Sequence, residues 1–138
     1  MWGRRRSVNL VDTPELDLFF DRLDRMNVEQ LLAMRAAWHS IPVAEHEEAW
    51  AVVRAVGARY AVDKEINRVR DKAMAWSTLG NNGVPYFQIG DSGRLQSRIE
   101  AGEAVVDAAL AIALGDRLDD RTRDALLGPW IRATDTQE

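Results

Sequence analysis

Glu100, Glu103 and Asp107 recur at i, i+3 and i+7, a spacing that puts three carboxyl groups on one stripe of a helix. The helix that carries them is otherwise almost wholly apolar from Ala104 to Leu114. Carboxylates on facing helices of a bundle are how all-helical proteins hold Mg²⁺, Mn²⁺ or paired iron. Glu45 and Glu48 open an upstream helix and are the candidate partners across the bundle. The chemistry this spacing allows is that of a divalent-metal-dependent hydrolase or a metal-binding bundle, with Mg²⁺ or Mn²⁺ as cofactor. A simpler reading makes the stripe the solvent edge of a mostly buried helix, paired with Arg98 or with arginines of the third helix, and needs no cofactor.

His39 and His46 are the two histidines and flank Pro42. Both can point into one region, which adds His46 to the candidate metal ligands. Neither lies in the Glu-x-x-His pattern of di-iron bundles, since Ala36 and Val43 occupy the positions three residues before them. His39 also suits a helix C-terminus, where the dipole favours positive charge.

The acidic pattern resembles that of the all-α nucleoside triphosphate pyrophosphohydrolases, which hold Mg²⁺ with a Glu-x-x-Glu on one helix and a Glu-x-x-Asp on the next. Glu45-x-x-Glu48 matches the first motif. The second departs, because Glu103 and Asp107 are one residue too far apart and Glu100 pairs with a Glu. The resemblance implies that these carboxylates coordinate Mg²⁺ and orient a water for attack on phosphorus. Gly83-Val84-Pro85-Tyr86-Phe87 is similar to the cis-proline loop of thioredoxin-like proteins, but a chain with no cysteine has no Cys-x-x-Cys beside it. Tyr86 and Phe87 remain candidates for an interaction loop, in a segment of few charges.

Five tryptophans, at 2, 38, 50, 76 and 130, are many for this length. Trp38, Trp50 and Trp76 lie near the apolar stripes of their helices, where indoles fill wide gaps. Together they also suggest a small-ligand pocket beneath the Tyr86-Phe87 loop. Lys64, Arg68 and Lys72 form a basic row, but Asp63, Glu65 and Asp71 interleave with it and the isoelectric point is about 5.2. No nucleic-acid partner is expected.

The elements that hold these residues read as helices. Thr13-Pro14 is a start signal, and Leu16, Phe19, Phe20 and Leu23 follow at helical spacing to about Arg25. Asn27 and Gln30 form a capping box for a second helix that Ser40-Ile41-Pro42 stops, so the first two helices are expected as an antiparallel hairpin. From Ala44 to about Ser77 no proline intervenes, and one long central helix is expected, kinked near Gly57. Val84 to Leu95 reads as a loop or a small β-hairpin between helices three and four. Ser97 to Glu100 is a capping box for a helix that ends at Gly115, and Asp119 or Asp120 caps a last helix that Gly128-Pro129 bends or breaks.

The expected fold is thus all-α, a five-helix bundle in a single domain over 1–138, with flexible tails at 1–12 and 134–138. A chain of 138 residues, 46% hydrophobic, is long enough for one core and too short for two. The net charge of −4 is mild and interspersed, so it names no partner. Sixteen arginines against two lysines fit a compositional bias of coding. The absence of cysteine excludes disulfides, thiolate metal sites and cysteine nucleophiles, and suits a reducing, cytoplasmic setting. Ser7 to Asp17 is too polar for an export signal, and no stretch is long and apolar enough for a membrane span. A helix of about 34 residues is about 50 Å long, more than a domain of this size can cover alone. The preferred function is therefore a non-catalytic helical protein-interaction or regulatory domain that self-associates as a homodimer. The metal-dependent hydrolase is the alternative.

Overall fold

The computed structural model describes residues 8–79 and 92–135, and these are the described residues below. They form seven α-helices: α1 Pro14–Arg25, α2 Val28–His39, α3 Val43–Tyr60, α4 Asp63–Leu79, α5 Ser92–Glu100, α6 Gly102–Leu114 and α7 Asp120–Asp135, with a 3₁₀ turn at Gly115–Arg117. The all-helical class stands, but the count of five helices does not.

Four boundaries follow from caps that the residue types announce. The Thr13 hydroxyl accepts from the Leu16 amide at 3.3 Å, with Pro14 at the first helical position. The Asn27 side chain accepts from Gln30 N at 2.8 Å while the Gln30 side chain accepts from Asn27 N at 3.0 Å, the reciprocal box that starts α2. Gly115 ends α6 at φ 50° and ψ −122°, a conformation a side chain resists. Asp119 accepts from the amide and the hydroxyl of Thr122, at 2.8 and 3.0 Å, and opens α7.

The single long helix is two. Ala61 lies in the left-handed region, at φ 55° and ψ 44°, and the chain closes a Schellman motif around it. The Val62 amide bonds back to Gly57 O at 2.9 Å and the Ala61 amide to Ala58 O at 3.3 Å. Val62 is buried at this elbow, and its carbonyl accepts the first bond of α4, from Ile66. Gly57 makes room here rather than a kink. A Cβ on it would run into Asp63 Oδ1 and lie 3.0 Å from Ile66 Cδ1, so the bare backbone leaves room for these two side chains of α4. The two helices, of 18 and 17 residues, are about 27 and 25 Å long. That length suits one small domain, and the helix-length argument for a homodimer loses its premise.

No strand occurs among the described residues. Residues 92–95, the end of the expected hairpin, are the first turn of α5, while residues 84–91, with Tyr86 and Phe87, lie outside the described residues. Ser97 is no N-cap: it sits inside α5, where its hydroxyl donates to Gly93 O at 3.0 Å. The helix expected from 97 to 114 is interrupted at Ala101, and the next residue, Gly102, faces Ser77 of α4 closely enough that a Cβ would lie 3.1 Å from its Oγ.

α6 is the axis. Ten of its residues are buried, and it packs against α4, α7, α1 and α2. α2 packs chiefly on α7, and α1 on α6, so α1 and α2 are not the expected hairpin. α7 runs unbroken through Pro129, because Leu126, Pro129, Trp130 and Ala133 are all buried against the bundle; packing along that face outweighs the missing hydrogen bond. Of the expected N-terminal tail, residues 8–12 are described: Leu10 is buried, and the Asn9 side chain accepts from the amides of Val11 and Asp12. No helix among the described residues is long and apolar enough to cross a membrane.

Away from that axis, one buried cation is secured. Arg98 is fully buried, its guanidinium stacked 3.4 Å from the Trp76 ring centroid and donating to the Trp76 carbonyl. Asp24 lies 3.6 Å from it and also accepts from the Trp76 indole at 2.8 Å. This cluster ties α1, α4 and α5 together, and it is where Arg98 goes instead of pairing with the acidic stripe.

Candidate functional site

The stripe divides when α6 is buried. Glu103 is exposed, Glu100 is half-buried in an ion pair with Arg35 at 3.2 Å, and Asp107 is only 4% exposed. Alanines at 104, 108 and 111 surround Asp107 on α6 and let neighbouring helices approach. Two tryptophans come down onto its carboxyl group. Trp38, in the last turn of α2, donates its indole N–H to Oδ2 at 2.8 Å, and Trp50, in α3, donates to Oδ1 at 3.0 Å. An indole N–H and a carboxyl group both need a partner when taken from water, and here each meets the other's need.

Burial raises the Asp107 pKa to about 6, against the pull of the two indole hydrogen bonds and of nearby His46; the Glu103 charge pushes it further up. His46 stacks on the Trp38 ring at 4.0 Å, and its Nε2 lies 2.9 Å from the Trp38 carbonyl, a distance at which a protonated Nε2 donates. His39 meets the same ring edge-on at 5.1 Å. Both histidines thus hold Trp38 in place, and neither ring is shared with a cluster of carboxylates.

The two indoles and Asp107 line a pocket of about 610 Å³ between α2, α3, α4 and α6. The elbow at Ala61 turns the chain from α3 into α4, and these two helices supply most of the lining. Val53, Ile66, Met74 and Val106 supply apolar wall, while Arg54, Asp63, Asn67, Arg70 and Glu103 are exposed around the opening. The Arg70 guanidinium lies over the Trp50 ring, 5.3 Å from its centroid. A volume of this size, with apolar walls and a few convergent polar groups, suits a small organic molecule.

The remaining candidate ligands are elsewhere. Glu45 and Glu48 line a separate, smaller groove against the start of α7, where Glu48 pairs with Arg121 at 3.2 Å. The structure therefore does not bring Glu45, Glu48 and Glu100 to Glu103 and Asp107, and His46 faces Trp38. Among the described residues no group of three His, Asp or Glu side chains is placed to hold a metal ion.

Of the pocket, Asp107 was marked in the sequence by being the one charge in an apolar run, and the tryptophans by their number. Arg54, Asn67 and Arg70 were missed, since on a helix they read as ordinary exposed positions. Comparison with known protein families, with curated proteins and with solved structures finds no match to this chain.

Proposed function

We propose that this protein is a small-molecule-binding helical domain whose ligand occupies the pocket between α2, α3, α4 and α6. The observation that carries the reading is a buried carboxyl group with both oxygens engaged by two indoles, all three lining an open cavity of about 610 Å³. A core that needed only to be filled has no use for a buried carboxyl group, which is costly to desolvate and leaves space beside it. Asp107 acts here as a positioning group. It fixes the two rings that a ligand would lie against, a rigid frame of the kind recognition sites need.

Four ring systems, Trp38, Trp50, Trp76 and Trp130, fall among the described residues, and only the first two line the pocket. The test is a fragment library screened against ¹⁵N-labelled protein, followed through the indole N–H resonances and assigned with Trp38→Phe and Trp50→Phe. Fragments that move the Trp38 and Trp50 signals while Trp76 and Trp130 stay still are expected. A diverse library that moves neither signal overturns the proposal.

A further inference from the structure

We infer that the ligand is a compact organic cation with an apolar body, an amine or amidine whose charge meets the remaining lone pairs of the Asp107 carboxylate beside the rings of Trp38 and Trp50. This deepens the pocket reading and rests on it. The two buried ionic groups among the described residues, Arg98 and Asp107, are treated differently by the fold. Arg98 has the Asp24 carboxylate 3.6 Å away. Asp107 has no cation within ion-pair distance among the described residues: its hydrogen-bond partners are two neutral N–H donors, and His46 acts on it only from beyond that distance. Each carboxylate oxygen offers two lone pairs, so one direction on each oxygen remains after the indoles are served. A buried carboxylate without a counter-ion is stabilised by any cation that reaches it, and the cavity is the route by which one can.

The walls select the same sign. The face of an indole attracts cations, and the Arg70 guanidinium over Trp50 shows that face in use. Glu103, one turn before Asp107 on α6, adds negative charge at the opening. Arg54 and Arg70 oppose this, but they are exposed on long flexible stems, where water and salt screen them. An anion could reach them only at the rim, and its body would then lie over a carboxylate of its own sign. Val53, Ile66 and Val106 give an apolar body somewhere to lie.

Three probes that share a phenyl ring and differ in charge decide the matter: benzamidine, benzamide and benzoate, titrated at pH 7.5 on the Trp38 and Trp50 indole signals. Benzamidine is expected to bind at least about tenfold more tightly than benzamide, with benzoate weakest. Asp107→Asn is expected to bring benzamidine and benzamide close to equality, and the charge series on the unaltered protein decides the question even where that variant does not fold. Equal or tighter binding of benzamide or benzoate overturns the cation while leaving the pocket reading intact. An absence of benzamidine-induced shifts at millimolar concentration also overturns the cation, and the fragment library then judges the pocket separately.

Discussion

Asp107 gives the protein a signature in its response to pH. Burial favours the neutral acid, so the folded chain holds this proton up to about pH 6 while the unfolded chain releases it near 3.8. Between those values the folded state binds more protons, and stability falls as pH rises. The contribution is full below the unfolded value and is lost as pH passes through about 6, a change on the order of 3 kcal/mol at 1.36 kcal/mol per unit. Asp119 runs the other way: its hydrogen bonds with Thr122 lower its pKa, and its contribution is lost on acidification. The two are separated by Asp107→Asn, which removes only the first. Urea unfolding from pH 4 to 7.5 is expected to show unaltered protein losing about 2.4 kcal/mol relative to Asp107→Asn across that range. A constant difference would mean that Asp107 titrates as an ordinary surface acid.

At the scale of elements, the elbow between α3 and α4 joins the two helices that supply most of the pocket lining, and its two special residues predict opposite responses. Ala61 holds a left-handed conformation that costs an L-residue about 1 kcal/mol, so Ala61→Gly is expected to stabilise the fold by up to about that amount. Gly57→Val places atoms where Asp63 and Ile66 already lie, and overpacking of this kind costs about 1–3 kcal/mol. Chemical denaturation of both variants measures both signs. This elbow was also the largest feature hidden from sequence reasoning. Thr13, Asn27, Gly115 and Asp119 were legible because capping selects residue types strongly, but alanine in the left-handed position gives no such signal, and a Val-Ala-rich helical period passes through it unbroken. The Ala101 interruption was masked in the same way by an apolar period on both sides. The site was half legible for a related reason. Asp107 stands out locally, whereas its partners Trp38 and Trp50 are 69 and 57 residues away, and no local pattern encodes a contact made by packing.

For the molecule as a whole, the helices differ in how deeply they are held, and the pocket lies at the boundary. α6 buries ten residues and is packed on several sides by other helices, so it can open only when the bundle does. α3 buries Ala49, Val53, Val56 and Gly57, packs mainly on α4 and α7, and is exposed at most other positions. Local opening draws on segments with few buried contacts, and α3 carries Trp50 and Val53 into the pocket wall. The wall expected to open first therefore carries one of the pocket's two indoles. Hydrogen exchange followed residue by residue is expected to give amides of α3 around Val53 at least about tenfold less protection than those of α6 around Leu110. A ligand in the pocket bridges α3 to α6 and binds only the closed form, so it is expected to raise α3 protection in proportion to occupancy while α6 rises only with global stability. Equal protection of the two helices in the free protein would place the pocket in a rigid wall and make ligand entry depend on global unfolding.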